Sequence, residues 1–146
     1  MSHALYHDGL VALAKSGVGA GRLTDPHATA RVDNPLCGDE VTLDLHLSGD
    51  TVQHVGHRVR GCMLCEASAA WIATHAPGAA RQTVMDVFAG MAHLMGHGEL
   101  PKDYVGHWSG IEAFSPVHSA KSRRRCVLLP FEAIAKALTV LDRENA

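Results

Sequence analysis

The chain has 146 residues, which is enough for one hydrophobic core, and we predict a single domain over residues 1–146. Hydrophobic residues make up 47% and charged residues 19%, a composition that excludes intrinsic disorder. The formal net charge of -2 gives no basic surface for nucleic acid, and no apolar run reaches the roughly 20 residues of a membrane span. The N-terminus has no basic segment before an apolar core, so we predict a cytoplasmic protein with reduced thiols, without nucleic acid or membrane partners.

The first half of the chain predicts one helix and a small antiparallel sheet. Apolar residues at helical spacing predict a helix over residues 4–17, and the polar residues 21–33 are predicted to be a loop. A Ser-Gly-Asp turn predicts that residues 51–55 return antiparallel to the preceding strand. Gly56 is predicted to break that strand before a third, short strand over residues 57–60. The preceding strand is predicted from apolar residues that alternate with polar ones, namely Val41, Leu43, Leu45 and Leu47.

The second half of the chain has helical periodicity. We predict a helix from Cys62 to the following Pro-Gly pair and an amphipathic helix over residues 84–95, whose Met and Phe side chains pack in the core. Residues 98–122 predict loops or short turns, and the last helix is predicted to begin near Cys126 with Pro130 in its first turn. This order of elements predicts an α+β fold in which helices cover one face of a small three-stranded antiparallel sheet.

The cysteine spacing suggests a metal or sulfur site. Only one closely spaced pair occurs, so a ribbon-type zinc site with two such pairs is not predicted. In Cys37-Gly38-Asp39 a glycine that permits positive φ separates a thiol from a carboxylate, so both side chains could point toward one place. Cys62 and Cys126 stand where helices begin, a position that favours thiolates, and we expect these thiols to lie at element boundaries outside the core. Zinc accepts thiolates together with one carboxylate, so a candidate tetrahedral shell consists of Cys37, Asp39, Cys62 and Cys126.

Several neighbouring residues have two interpretations each. Cys65 is either a small buried hydrophobic residue or a spare ligand or resolving thiol on the same helical face as Cys62. The basic triplet at residues 123–125 either offsets the negative charge of a thiolate shell or forms a solvated turn. Of the 11 histidines, His107 and His118 are the alternatives to Asp39 as a fourth ligand.

Three segments in this order resemble a known family. They are Asn34-Pro35-Leu36-Cys37-Gly38-Asp39, Gly61-Cys62-Met-Leu-Cys65-Glu-Ala67-Ser68 and Arg123-Arg-Arg-Cys126. Together they are similar to the IscU/NifU N-terminal family of iron–sulfur cluster assembly proteins, and the resemblance covers about residues 5–142. Scaffold members of that family carry a His before the last Cys, where this chain has Arg125. The 64-residue spacing from Cys62 to Cys126 and the Arg-x-x-Cys ending resemble the SufU branch.

The resemblance implies a zinc protein that accepts persulfide sulfur from a SufS-like cysteine desulfurase and passes it to downstream cluster-assembly proteins. It implies that Cys37, Asp39, Cys62 and Cys126 bind zinc, that Cys37 is the sulfur-accepting thiol, and that Arg123 steadies the site. If the protein is an enzyme, it is at most a zinc-dependent sulfurtransferase. Two alternatives stay open: a scaffold or carrier that binds a [2Fe–2S] iron–sulfur cluster on the three cysteines and one more ligand, and a structural zinc fold that serves only as an interaction module.

Overall fold

The computed structural model describes residues 8–36 and 38–145 and has an α+β fold. Three strands pair antiparallel in the order β1-β2-β3, which confirms the predicted fold class, although the strands themselves are not the three predicted ones. The strands are β1 Ala28–Asn34, β2 Asp39–Ser48 and β3 Thr51–Arg60, and the helices are α1 Asp8–Ser16, α2 Met63–His75, α3 Arg81–His97 and α4 Arg124–Asn145. Two short 3₁₀ helices, Ile111–Ser119 and Lys121–Arg123, connect α3 to α4. Helix α4 packs across β1 and β2, while α2 packs against α1, α4 and β3.

The strand boundaries differ from the prediction at both edges of the sheet. Strand β1 lies mostly within residues 21–33, which were predicted to be a loop, and its inward residues Ala28 and Ala30 are too small to give a clear apolar alternation. Strand β3 also runs unbroken through Gly56. A Cβ at Gly56 would lie 2.7 Å from the carbonyl oxygen of Gly21, so this glycine admits a crossing segment of backbone and does not end the strand.

The helices follow the predicted apolar pattern, with shifts at their ends. Helix α1 lies within the predicted residues 4–17, of which 4–7 fall outside the described residues. Helix α4 begins two residues before Cys126, so Pro130 lies in its second turn and the prediction of a first-turn proline is wrong. Because proline has no N–H, it cannot donate to the carbonyl of Cys126, four residues earlier. Within the described part of the chain, no helix has both the length and the apolar character of a membrane span.

The core lies between the sheet and the helices. The β2 residues predicted to face inward are all buried, and most of the predicted apolar positions of α3 are buried as well, which confirms their packing role. Trp71 of α2 contacts Trp108, Phe114 and Phe131 edge to face and donates its indole N–H to the carbonyl of Ser109 at 2.9 Å. These contacts join α2, the 3₁₀ segment and α4 into one layer.

Asp44 departs from the alternation of β2, because it is fully buried although it falls on the polar side. The segment before β1 covers it. Arg22 donates two hydrogen bonds to its carboxylate at 2.7 and 3.0 Å, the Leu23 N–H donates at 3.0 Å and the Thr29 hydroxyl donates at 2.6 Å. Burial raises the pKa of Asp44, but these donors outweigh it and hold the pKa below its ordinary value of 3.8.

We expect Asp44→Asn to lower the free energy of unfolding at neutral pH by about 1–3 kcal/mol, because an amide cannot accept all four hydrogen bonds. A carboxyl whose pKa is depressed in the folded state stabilises the protein above its unfolded pKa and loses that contribution as the pH falls through the folded value. Urea unfolding of both proteins at several pH values measures the difference, which should shrink below about pH 4. A difference that does not change with pH would contradict the ionised state of Asp44.

Candidate metal centre

Three elements bring one potential ligand each to a common place. Asp39 is the first residue of β2, Cys62 immediately precedes α2, and Cys126 is the third residue of α4. One ligand atom from each of these residues lies within 4.8 Å of the other two. Asp39 and Cys126 are buried, while Cys62 is half-buried and reachable from solvent. Cys37, the fourth member of the predicted shell, lies outside the described residues.

The two cysteines of this cluster share a proton. The Cys126 thiol donates to the Cys62 sulfur, and the backbone N–H groups of Leu64 and Cys65 also lower the pKa of Cys62, to about 6, against the effect of burial. The same hydrogen bond to Cys62, followed by burial, raises the pKa of Cys126. This coupling favours a thiolate at Cys62 and a thiol at Cys126. A soft or borderline cation would replace that proton.

Asp39 gives this cluster an unused acceptor. Its carboxylate lies beside the Cys126 thiol and raises the pKa of that thiol, while the single S–H of Cys126 is donated to Cys62. Its Oδ2 atom is buried and has no hydrogen-bond partner among the described residues. An unsatisfied buried carboxylate oxygen costs free energy unless a cation or donor meets it. Two sulfurs and one carboxylate oxygen are a donor set that zinc accepts, so the residues present fit a zinc ion.

A tight turn joins β1 to β2 at the edge of the cluster. The Gly38 N–H donates to the carbonyl of Asn34 at 2.8 Å, and the Leu36 N–H donates to the side-chain oxygen of Asn34 at 3.2 Å. Gly38 has a φ of +77°, as the sequence predicts for a turn that glycine favours. Leu36 is 96% exposed. The turn therefore presents an apolar side chain to solvent directly before the position of Cys37.

A buried serine fixes the two helices that carry the cysteines. The Ser68 hydroxyl of α2 donates to the carbonyl of Val127 in α4 at 2.6 Å, and Ser68 is fully buried. Val127 follows Cys126 directly, so this bond holds the start of α4 against the helix that Cys62 precedes. We predicted no role for Ser68; a lone serine in an alanine-rich, buried helix is the signal that could have found it.

The other candidates from the sequence lie apart from the cluster or have other partners. Cys65 is fully buried in the core, which agrees with its interpretation as a small hydrophobic residue. Cys126 is also fully buried, so the expectation that it lies outside the core is wrong: helix α4 places it in its packed face. His107 lies 3.5 Å from Asp86, and the Nδ1 atom of His118 lies 2.8 Å from the Met95 carbonyl.

The basic triplet does not act as a single unit. Arg124 donates to the carbonyl of His118 at 2.7 Å, and Arg125 contacts the Glu132 carboxylate at 3.2 Å. Arg123 ends the second 3₁₀ helix, three residues before Cys126, and its N–H donates to the carbonyl of Ala120 at 2.8 Å. Arg124 and Arg125 are therefore engaged by groups outside the cluster, and the role of Arg123 beside the cluster stays a prediction.

We expect Gly61→Ala to weaken metal binding. Gly61 stands between β3 and Cys62, and a Cβ there would lie 2.6 Å from Oδ1 and 2.8 Å from Cγ of Asp39, so the carboxylate must move. A displaced ligand should lower zinc affinity by about tenfold or more. The matched control is Gly96→Ala in helix α3, where a Cβ meets nothing within 4 Å. Chelator competition for zinc measures both variants, and equal affinities would contradict a ligand role for Asp39.

Comparison with known proteins identifies relatives over most of the chain. The NifU-like N terminal domain family matches residues 5–107. The chain is similar to the iron–sulfur cluster assembly scaffold protein IscU of Thermotoga maritima, with 25% identity over 141 residues that cover 95% of this chain and 96% of that protein. It is also similar to the zinc-dependent sulfurtransferase SufU of Bacillus subtilis, with 26% identity over 114 residues that cover 78% of this chain and 76% of that protein.

Two solved structures share the fold over almost the full length. The crystal structure of the N-terminal part of a NifU-like protein from Brucella abortus superposes with a TM-score of 0.88 at 25% identity, covering 97% of both chains. A putative iron–sulfur cluster assembly scaffold protein for the SUF system from Fervidobacterium islandicum gives a TM-score of 0.84 at 26% identity, covering 94% of this chain and 99% of that chain.

Proposed function

This chain belongs to the NifU-like N-terminal domain family of iron–sulfur cluster assembly proteins, and we propose that it is a zinc-bound acceptor of persulfide sulfur. The proposed donor of the sulfur is a SufS-like cysteine desulfurase, and the proposed recipients are downstream cluster-assembly proteins. Cys37, Asp39, Cys62 and Cys126 would hold the zinc ion. The exchange would take place in the cytoplasm, where thiols stay reduced.

The observation that carries this proposal is the meeting of Asp39, Cys62 and Cys126 within 4.8 Å, with a buried Asp39 oxygen that no described donor meets. The fourth proposed ligand stands two residues before Asp39 in the chain. A shell with one carboxylate exchanges ligands more readily than a shell of four thiolates. Such a site suits a thiol that must leave the metal to react, whereas a purely structural zinc site does not need ligands that exchange.

Sulfur transfer requires a thiolate at Cys37. Bound zinc would keep its sulfur ligands deprotonated at neutral pH and would hold them in position. The Cys37 thiolate would attack the terminal sulfur of the persulfide on the desulfurase cysteine. A new S–S bond forms on Cys37, the S–S bond of the donor breaks, and the donor cysteine leaves as a thiolate, so no external oxidant or reductant is needed. Arg123, close before Cys126 in the chain, is the proposed residue that steadies the negatively charged ligands.

One feature of the ligand region favours a zinc acceptor over a cluster scaffold. Arg125 occupies the position directly before the last cysteine, where the scaffold members that this chain resembles carry a His. Its guanidinium contacts Glu132 at 3.2 Å. A guanidinium is charged at all physiological pH values and offers no lone pair, so Arg125 cannot be a metal ligand. The similarity to a relative that is named a zinc-dependent sulfurtransferase supports the same choice.

The second candidate is a scaffold or carrier for a [2Fe–2S] cluster. Similarity to the scaffold protein IscU over 95% of this chain favours it. In that case Cys37, Cys62 and Cys126 would hold the cluster together with Asp39 or another ligand. Cysteine thiolates are the ordinary ligands of such clusters, so the donor set alone does not exclude this function.

The two functions are separated by one experiment. Zinc-loaded protein is incubated with a cysteine desulfurase and cysteine, and its thiols are then alkylated and analysed by mass spectrometry. We expect a mass increase of one sulfur atom on the peptide that contains Cys37, with zinc retained. No added sulfur on that peptide, together with visible absorption of a cluster after anaerobic reconstitution with iron and sulfide, would overturn the proposal in favour of the scaffold.

A further inference from the structure

Two histidines face each other on neighbouring strands, on the opposite face of the sheet from Leu45 and Leu47. His46 of β2 and His54 of β3 are direct cross-strand partners, and their Nδ1 atoms lie 3.2 Å apart. His46 is half-buried and His54 is exposed, so solvent reaches the pair. Neither histidine takes part in the proposed sulfur transfer.

The backbone fixes which ring nitrogen of His46 has a lone pair. Its Nε2 atom lies 2.9 Å from the carbonyl of Thr24 and 3.2 Å from that of Asp25. Carbonyl oxygens only accept, so Nε2 carries the proton and the neutral ring presents an unprotonated Nδ1 to His54. Histidine ligands of metals show this arrangement, in which one nitrogen donates to a backbone carbonyl and the other binds the ion.

The distance between the two nitrogens suits a shared ion. Two nitrogens that each lie about 2.0–2.1 Å from a tetrahedral zinc ion are roughly 3.3 Å apart. We propose that His46 and His54 bind a divalent transition metal ion of borderline softness, such as Zn²⁺ or Ni²⁺, through their Nδ1 atoms. Imidazole nitrogens prefer such ions to Ca²⁺ or Mg²⁺. His54, which donates its Nδ1 proton to His46 when no metal is bound, moves that proton to Nε2 when it becomes a ligand.

A third histidine borders the pair without joining it. The ring centroid of His27 lies 5.2 Å from that of His46. Its Nδ1 accepts the backbone N–H of Leu47 at 2.9 Å, which leaves the proton of the neutral ring on Nε2. His27 therefore encloses one side of the pair, and water completes the coordination of the ion. Two protein ligands and water make a site that exchanges its metal readily.

This site is separate from the cysteine cluster. His46 follows Asp39 by seven residues along β2, which corresponds to about 23 Å of extended strand. An ion at the histidine pair therefore binds without contact to Asp39, Cys62 or Cys126. The histidine site does not depend on the proposed sulfur transfer, and each is tested by its own variants.

The test is a titration of zinc-loaded protein with Ni²⁺, followed by NMR of backbone amides and imidazole rings. We expect paramagnetic broadening centred on His46, His54 and the Thr24–Asp25 carbonyl segment. His54→Ala should weaken Ni²⁺ binding at the histidine pair on the order of tenfold or more, because one of its two histidine ligands is lost. This variant is expected to fold, since His54 is exposed and the hydrogen bond from His46 to Thr24 persists.

The matched control is His97→Ala, which removes a member of another histidine pair. His93 and His97 have ring centroids 4.3 Å apart on α3. The control should leave the broadening at His46 and His54 unchanged, and His46→Ala should abolish it. Broadening that persists in His54→Ala, or that is centred on α3 or on the cysteine cluster, would overturn the proposal.

Discussion

If the cluster binds zinc as proposed, replacing Cys126 with serine is expected to remove that zinc and to lower the melting temperature of the zinc-loaded protein. Cys126 is fully buried, donates its single S–H to Cys62 and lies beside the Asp39 carboxylate. Without its sulfur, the ion would lose one of four ligands, and we expect zinc affinity to fall by about 100-fold or more. Because zinc binds the folded state, its loss also removes the stabilisation that binding provides. Zinc content after dialysis against a chelator and thermal unfolding measure the two effects.

Cys65→Ala provides the matched control for this variant. Cys65 is buried like Cys126 and stands three residues after Cys62, but it does not belong to the cluster of Asp39, Cys62 and Cys126. The control should keep one zinc ion per chain and lose about 1 kcal/mol of stability from reduced packing. Full zinc content in Cys126→Ser, or equal zinc loss in both variants, would show that the cluster does not hold the ion.

Cys37→Ala is expected to abolish sulfur acceptance. In the proposed function this thiolate forms the new S–S bond, so Cys37→Ala removes the accepting nucleophile. We expect the stimulation of a cysteine desulfurase to fall by about 100-fold or more, the size of effect seen when a catalytic group is removed. Alanine production from cysteine measures the stimulation, and alkylation with mass spectrometry measures persulfide on the chain.

A comparison of zinc content separates the loss of this nucleophile from a loss of the site. Cys37→Ala should still bind zinc through Asp39, Cys62 and Cys126, with lower affinity. Cys65→Ala should stimulate the desulfurase as strongly as the unchanged protein does. If Cys37→Ala stimulates the desulfurase as well as the unchanged protein does, sulfur does not pass through this thiol. The chain would then act as an interaction module with a structural zinc ion.

Much of the fold could be predicted from hydrophobic periodicity. The alternation in β2 and the helical spacing in α3 are strong because their buried side chains are large. Strand β1 was missed because its inward residues Ala28 and Ala30 add little apolar signal, even though it pairs with β2, the next strand in the chain. Gly56 was misread because the segment that crosses it comes from residues 21–23, which no local pattern reveals.

The candidate site was predicted from three short segments and a family resemblance. Hydrophobic periodicity could not predict that Cys62 and Cys126 lie close together, since they are 64 residues apart in the chain. The roles of Gly61, which leaves room for the Asp39 carboxylate, and of Ser68, which joins α2 to α4, depend on contacts between elements. The burial of Asp44 was missed for the same reason, because its partners Arg22 and Thr29 lie in another segment.

X-ray absorption at the metal edge, on protein purified anaerobically from cells, identifies the metal and its ligands. We expect one zinc ion per chain with three sulfur ligands at about 2.3 Å and one oxygen ligand at about 2.0 Å. The same measurement on Asp39→Ala should lose the protein oxygen while the sulfur ligands persist. Iron with bridging sulfide in place of zinc, or zinc without the sulfur ligands, would contradict a zinc site on Cys37, Asp39, Cys62 and Cys126.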